Sequence, residues 1–295
     1  MTTHTGMASG RVAAGRPDGE YAFVAGLYVA ALLAPALVLL LASVRSDAAV
    51  LYVGFLLAVA GVTAVAGWVV SRVPGLAIRL GRRDAVWLLV VPPFGWFAGA
   101  FGADAVHVDL PGVAVPLAVV CTAGGMLLGL LLVAMSRTRH ADSVLERTTE
   151  SAAWEARWPR RWRRVAAGVS IGAFAASAVG FVAAFGFGIE WGWRLYYLLF
   201  VGAVLMNVLN PRTFRVTAAG LVVEHPVGRQ FRSWSAFAGY ELTDDALVIR
   251  SSPRWRPDHR SDRADVEDVD AVVTALDEHL PRRGRPRRHG PTSEG

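Results

Sequence analysis

Long uninterrupted apolar runs fill most of the first 210 residues. They fall at 21–43, 48–71, 85–103, 113–135, 165–189 and 191–209. Each run has about the 20 residues that a helix needs to cross a hydrocarbon core of ~30 Å. The runs lack the alternation of a membrane β-strand, and a backbone in lipid satisfies its own hydrogen bonds as a helix. The pattern therefore predicts an α-helical transmembrane bundle of six helices in three hairpins, covering residues 21–211.

The composition agrees with a membrane protein and gives an orientation. Hydrophobic residues make up 54% of the chain and charged residues 18%, against about 25% charged residues in soluble domains. All 30 basic residues are arginines. When the connections are assigned alternately to two sides, 14 arginines flank the runs on one side and two on the other. Because cytoplasmic loops are enriched in basic residues, we expect a multi-pass protein of the cell membrane with both termini cytoplasmic, including the tail at 1–20. The first run is longer than the apolar part of a signal peptide, so it is expected to be retained.

Small residues recur at every fourth position of the fifth run. The series consists of Gly168, Gly172, Ala176, Gly180, Ala184 and Gly188. Such a stripe lets helix backbones approach closely, so it predicts a packing seam, either within one chain or between copies in a homo-oligomer. The single pairs Gly95/Gly99 and Gly125/Gly129 are attributed to the general richness in small residues.

Pro92 and Pro93 interrupt the third run, where they remove two backbone donors and predict a kink. Broken helices can line a solute site, although transporters typically carry a matched pair of them. No ionisable residue lies near the middle of any run, which argues against ion-coupled transport.

The connection at 136–164 interleaves tryptophan with arginine. The residues concerned are Trp154, Trp158, Trp162, Arg160, Arg161, Arg163 and Arg164. Tryptophan prefers the headgroup zone, and arginine pairs there with anionic lipid. We expect an interfacial anchor on the inner leaflet, leading into the fifth run. This also accounts for the basic residues without nucleic acid as a partner.

After Asn210–Pro211 the pattern becomes that of a small β-rich domain. Strands are predicted at 213–217, 221–225, 230–234, 238–242 and 246–250, and a short strand is possible near the end of the loop 251–263. An apolar stripe from Val266 to Leu280 then predicts an amphipathic helix, which Pro281 ends. The Arg-rich residues 281–295 are expected to be disordered.

The order of residues in this domain resembles a known family. Phe214-Arg215-Val216-Thr217, Gly220-Leu221-Val222-Val223, Phe231-x-x-Trp234, Gly239-Tyr240-Glu241 and Leu247-Val248-Ile249, followed by the helix, look like the pleckstrin-homology-like (PH-like) domains of prokaryotic membrane proteins. The resemblance covers 212–280 and implies a cytoplasmic protein-interaction module. At that length the domain is shorter than the usual seven-strand version, so one strand is expected to be missing or reduced. Candidate contacts to a partner or to lipid are Arg229, Arg232, Arg254, Trp255 and Arg256.

Motifs for chemistry are weak. The seven histidines are scattered, and the one cysteine, Cys121, lies inside an apolar run. Asp104, His107 and Asp109 form the only compact ligand-like set, which is more typical of a solvated loop than of a metal site. We therefore expect no cofactor, metal or enzymatic activity.

Two functions remain open at this stage. The first is a membrane-anchored adaptor or scaffold, whose PH-like domain binds a protein partner or the inner leaflet. The second is a transporter or channel for a small or lipidic solute that uses the kinked third run.

Overall fold

The computed structural model describes residues 18–105, 107, 110–252 and 256–282. The chain divides into two compact units, residues 1–140 and 141–295. Nine α-helices and seven strands lie in the described part of these units.

The first unit is helical. It contains α1 (Gly19–Ala42), α2 (Ala48–Ser71), the short α3 (Leu76–Gly81), a 3₁₀ segment (Asp84–Val90), α4 (Phe94–Ala105) and most of α5 (Ala114–Leu145). Asp18 and Asp47 cap α1 and α2 by accepting hydrogen bonds from the backbone N–H groups of Tyr21 and Val50. Such caps satisfy amide groups that have no partner within the helix.

Backbone approach joins the helices of this unit. A Cβ atom added at Gly26 of α1 would collide with the carbonyl oxygen of Thr63 in α2, and one at Gly81 would collide with that of Ser136. Two long-range hydrogen bonds add to this packing, from Tyr28 Oη to the Leu89 carbonyl (2.7 Å) and from Trp96 Nε1 to the Leu32 carbonyl (3.0 Å). Close packing of this kind is typical of helices in lipid.

The predicted kink in the third run is a break. The 3₁₀ segment ends at Val90, α4 begins at Phe94, and the two are bent by 43°. Protein groups fill the break. Pro93 is fully buried, its carbonyl accepts a hydrogen bond from Thr122 Oγ1 (3.0 Å), and a Cβ atom on Gly125 would lie 2.9 Å from Pro93 Cγ.

The second unit combines helices with two sheets. β1 (Glu150–Ala156) precedes α6 (Arg160–Phe181), which continues as a π-helical turn (Val182–Gly186). The short α7 (Gly192–Tyr196) and α8 (Leu198–Leu209) follow. The remaining elements are β2 (Arg212–Thr217), β3 (Gly220–His225), β4 (Gly228–Ser233), β5 (Phe237–Leu242), β6 (Ala246–Ser251), β7 (His259–Asp262) and α9 (Val269–Asp277).

All strand pairs are antiparallel. One sheet has the order β1-β2-β3-β4 and the other the order β5-β6-β7. We call these seven strands together with α9 the sheet domain. Its core contains Trp154, Phe214, Tyr240, Leu247 and Leu276. Tyr240 Oη also donates to Asp277 Oδ1 (2.5 Å), which attaches α9 to β5, and burial raises the pKa of Tyr240 to about 12.

Four helices are long and apolar enough to cross a membrane: α1, α2, α5, and α6 with its π-helical turn. The 3₁₀ segment and α4 meet the same standard as one bent pair, which would make five. The sixth expected span is instead divided at Tyr197 into α7 and α8. The chain therefore has the helices of a membrane protein, with four or five candidate spans in its described part.

Candidate functional site

The strand that the sequence analysis missed lies far from the others in the chain. Residues 150–156 were expected to lie at the membrane interface, but they form β1 and pair with β2 from Glu150↔Thr217 to Ala156↔Arg212. Trp154 is only 5% exposed, stacks on Phe214 at 5.2 Å between ring centroids, and donates from Nε1 to Ser261 Oγ (3.5 Å). The prediction that Trp154 is an interfacial anchor is wrong, because its indole is a core residue of the sheet domain.

The rest of the expected anchor lies around the start of α6. Trp162 is 44% exposed, and Arg160, Arg161 and Arg164 are exposed beside it. Trp158 is half-buried, and the guanidinium of Arg212 lies 5.7 Å from its ring centroid, at cation–π distance. Arg163 is half-buried. An interfacial role for these residues stays a prediction.

The predicted contact arginines have different surroundings. Arg229 forms ion pairs with Glu224 (2.5 Å) and with Asp142 near the end of α5 (2.7 Å), so its guanidinium is already engaged within the chain. Arg256 is half-buried in the β6–β7 connection, while Arg254 and Trp255 lie outside the described residues. Arg232 belongs to a group that the sequence analysis did not find.

This group, the basic cluster, consists of Arg212, His225, Arg232 and His259. Residues that are directly opposite in neighbouring strands share a face of the sheet, and alternate residues of one strand do the same. Arg212 has the parity of the core residues Phe214 and Val216, and His225 has that of Leu221 and Val223. Arg232 pairs with Leu221, and His259 pairs with Ile249. Four basic side chains thus share the faces that carry the apolar core.

The same four side chains also interact electrostatically. Burial, together with the positive charges of Arg212 and Arg232, lowers the pKa of His225 to about 4. Burial, with Arg232, Arg212 and His225, lowers the pKa of His259 to about 3. Both imidazoles are therefore neutral at pH 7, and the charge of the cluster resides on its two arginines.

Two side-chain nitrogen atoms of the basic cluster are buried. Arg212 Nε and His259 Nε2 are buried, and neither has a hydrogen-bond partner among the described residues. No carboxylate in the described part of the chain lies within the 4.0 Å of an ion pair to Arg212, whereas Arg215, Arg229 and Arg250 each pair with two carboxylates. Buried polar groups are nearly always paired in native proteins, so Arg212 Nε and His259 Nε2 are candidate contacts for a bound group.

The signal for the basic cluster was present in the sequence. Arg212-x-Phe214-x-Val216 and Leu221-x-Val223-x-His225 place basic residues in step with alternating core residues. The predicted domain boundary at 212 left out β1, whereas the short strand expected as possible near the end of the loop 251–263 is β7, which carries His259.

A separate open cleft of about 570 Å³ has mixed charge. It lies between the start of α6, the β5–β6 turn and the end of β7, and it is lined mainly by Arg160, Arg161, Asp244, Asp245, Asp262 and Arg263. Asp262 Oδ1 caps Ala264, and the backbone N–H of Arg263 donates to the carbonyl of Asp245. These contacts are part of the local fold.

The small residues of α6 occupy different positions from those expected. Gly168, Gly172 and Gly188 are exposed, with no atom within 4 Å of an added Cβ, and Ala176 and Ala184 are half-buried. The buried face of α6 includes Ala166, Ser170, Ala173, Ser177 and Gly180. As a seam within one chain the series is wrong at Gly168, Gly172 and Gly188. Gly180 and Ala184 do pack closely, because a Cβ atom on Gly192 of α7 would lie 2.6 Å from the Gly180 carbonyl oxygen and from the Ala184 backbone nitrogen. As an interface between copies the series stays a prediction. Gly125 and Gly129, attributed to composition, are tightly packed: a Cβ on Gly129 would lie 2.6 Å from the Leu89 carbonyl oxygen.

The remaining candidate residues do not meet. His107 is exposed, the side chain of Asp104 and all of Asp109 lie outside the described residues, and Cys121 is buried in α5. No group of three or more potential metal ligands occurs in the part of the chain that the structure describes.

Comparison with known proteins adds no relative. The chain matches no family model, no curated protein and no solved structure.

Proposed function

We propose that the chain is a membrane-anchored adaptor, whose sheet domain lies at the cytoplasmic face of the membrane and binds there. One observation carries the proposal: β1 and β2 are hydrogen-bonded neighbours, although the apolar segment 160–209 separates them in the chain. A segment that leaves one strand and returns to its neighbour must start and end on the same side of a membrane. We therefore infer that residues 160–209 form a membrane hairpin inserted into the sheet domain, with α6 as one arm and the divided pair α7 and α8 as the other.

This insertion fixes the position of the sheet domain. A domain joined by one linker can rotate, but two connections, Arg157 to Arg160 before the hairpin and Leu209 to Arg212 after it, hold two adjacent strands close to the bilayer. The domain is thus kept permanently at the membrane surface, as suits a scaffold that positions a partner there. The arginine count assigns this surface to the cytoplasm.

The fold of the sheet domain supports a PH-like module. With β1 included, it has seven antiparallel strands in sheets of four and three, followed by a helix that packs on the core. The strand that we expected to be missing is supplied from upstream of the hairpin. We infer a PH-like domain that is split by a membrane hairpin, with binding as its activity.

Capture of partners from a mild detergent extract tests the adaptor proposal. The full chain is compared with a deletion of 212–282 that also carries Trp154→Ser, because β1 alone would expose an apolar edge and attract unspecific proteins. Proteins that the full chain retains and the deletion loses support an adaptor. Identical partner lists would overturn it.

Accessibility of single cysteines tests the topology. In a Cys121→Ser background, Asp244→Cys in the exposed β5–β6 turn and Glu190→Cys between the π-helical turn and α7 provide matched exposed positions. An impermeant thiol reagent should label the cysteine at 190 from outside the cell and the cysteine at 244 only after the membrane is opened. Labelling of both from the same side would contradict the inserted hairpin.

Transport of a small solute is the second candidate, and the break at Pro92–Pro93 favours it. The contacts from Thr122, Gly125 and Trp96 argue that this break is a packing feature, because they fill it with protein groups. Flux through reconstituted protein that falls with Pro92→Ala or Pro93→Ala would support transport, and unchanged flux would exclude a role for the break.

A further inference from the structure

We propose that the basic cluster of Arg212, His225, Arg232 and His259 is a binding site for a phosphate group. The inference deepens the proposed function, since it assumes that the sheet domain lies at the inner leaflet, and it names the chemistry that the domain recognises there.

The strands hold the four side chains in place. They come from four different strands, β2, β3, β4 and β7, and share the core-facing sides of the two sheets. They are strand residues, held by ladder hydrogen bonds, so their arrangement is already formed before a ligand arrives. A preformed set of donors loses little conformational freedom on binding.

The basic cluster carries positive charge. Arg212 and Arg232 both act on His225 and on His259, and the charged groups that shift the two histidines are all basic. The nearest acid on β3, Glu224, is bound by Arg215 and Arg229. Arg212 is partly buried and pairs with no carboxylate among the described residues, which is unfavourable in the free protein, and an anion relieves it.

The basic cluster also supplies hydrogen-bond donors. Arg212 Nε and His259 Nε2 are buried and have no protein partner among the described residues. A guanidinium offers a planar fork that matches two phosphate oxygens. A neutral imidazole can donate from one nitrogen to a further oxygen. Two arginines with two histidines match the several acceptor oxygens of phosphate better than the two of a carboxylate.

Arg212 and Trp158 lie only a few residues from the hairpin in the chain. Arg212 comes three residues after the end of α8, and Trp158, whose ring lies under its guanidinium, comes two residues before α6. The phosphates of a bilayer lie at the level where membrane helices emerge from it. A phospholipid is therefore the natural source of the phosphate group, and a soluble phosphate ester is the other.

Retention of lipid by the full chain in nanodiscs tests the site. One arm uses phosphatidylcholine alone, a second adds phosphatidic acid, and a third titrates inorganic phosphate into the phosphatidylcholine discs. The variants are Arg212→Gln and, as a matched control, Arg260→Gln, which removes the same charge from the exposed position next to His259. We expect Arg212→Gln to weaken retention of phosphatidic acid about tenfold or more, as for loss of a charged hydrogen bond, and Arg260→Gln to change it little.

The histidine resonances provide a readout that a structural role would not move. A bound phosphate should raise the pKa of both His225 and His259 towards the ordinary histidine value, because an adjacent anion favours the protonated imidazole. The shift should occur with phosphatidic acid and be reduced in Arg212→Gln. Arg212→Lys keeps the charge and loses the planar fork, so its histidine pKa shift should lie between those of the unchanged chain and of Arg212→Gln. Its tryptophan fluorescence controls for folding.

Each result separates the site from the adaptor proposal. A histidine shift with phosphatidic acid supports the site with a lipid source, and one with inorganic phosphate alone supports it with a soluble source. Equal retention by Arg212→Gln and Arg260→Gln, with unmoved histidines in all arms, would overturn the site. In that case partner capture by the full chain would still test the adaptor on its own.

Discussion

The helical unit and the sheet domain are stabilised by different kinds of contact. In the helical unit, glycines let backbones touch, as Gly26 does with Thr63 and Gly129 does with Leu89, and no residue of α2 is buried. In the sheet domain, large side chains such as Trp154, Phe214 and Leu276 fill a closed core. Lipid solvates apolar side chains as well as a protein interior does, so helix pairs there are stabilised by close approach and by hydrogen bonds such as that from Tyr28 to Leu89. Water does not, so burial of apolar area stabilises the sheet domain.

The comparison teaches which substitution each part tolerates. Where the core is made of large side chains, truncation is damaging because it removes buried area and leaves a cavity. Where backbones touch, enlargement is damaging because no side chain can move aside. Truncation should therefore damage the sheet domain most, and enlargement should damage the helical unit most.

Truncation of the core tryptophan has the largest expected effect. Trp154→Ala should destabilise the sheet domain by about 3–5 kcal/mol, since it removes a stacked, buried indole and leaves β1 poorly anchored. Urea unfolding of the full chain in nanodiscs, followed by near-UV circular dichroism, measures it. The exposed Trp162 is the control, and Trp162→Ala should change the unfolding free energy little. Equal effects of both substitutions would contradict burial of Trp154 in the sheet domain and support a position of residues 150–156 at the membrane interface.

Enlargement of a packed glycine should be the damaging change in the helical unit. Gly129→Val places its Cβ against the Leu89 carbonyl, and overpacking of this kind costs about 1–3 kcal/mol. Gly95→Val is the matched control, because an added Cβ there meets no atom within 4 Å. Thermal unfolding in detergent should separate the two variants. Equal melting temperatures would show that backbone contact does not stabilise this unit.

Sequence patterns predicted most of the sheet domain but missed β1, because β1 pairs with a strand that is distant in the chain. Strands β2 to β6 and the C-terminal helix follow from local alternation and period, and their predicted bounds agree within two or three residues with those observed. β1 was missed because the four-residue spacing of Trp154, Trp158 and Trp162 obscured the two-residue spacing of Ala152, Trp154 and Ala156. The partner of β1 is more than fifty residues away in the chain.

The same limit applies to the candidate site. Arginine and tryptophan counts draw attention to exposed positions, and they selected Arg229, which ion pairs occupy. The basic cluster depends on register between strands that a membrane hairpin and a loop separate. A register is a long-range property, and a single sequence does not contain it in readable form.

Acid should weaken the sheet domain more than the helical unit. His225 and His259 have folded-state pKa values of about 4 and about 3, below the ordinary value of about 6.5. Between about pH 6.5 and pH 4 the two histidines bind more protons in the unfolded chain than in the folded chain. The stability present above about pH 6.5 is therefore lost as the pH falls towards 4. Unfolding free energies at pH 7 and pH 5 measure the loss. His259→Phe should reduce it, and an unchanged pH dependence would contradict burial of the neutral imidazole.

The smallest expected effect concerns the ion pairs of Arg229. Arg229 joins β4 to the end of α5 through Asp142 and to β3 through Glu224, but its side chain is 41% exposed. Partly exposed pairs contribute about 0–1 kcal/mol. Arg229→Gln should therefore lower the unfolding free energy by less than Trp154→Ala or Gly129→Val does. The loss should shrink further at high salt, because screening weakens exposed pairs. A loss as large as that of Trp154→Ala would mean that charge, and not only apolar burial, stabilises the sheet domain.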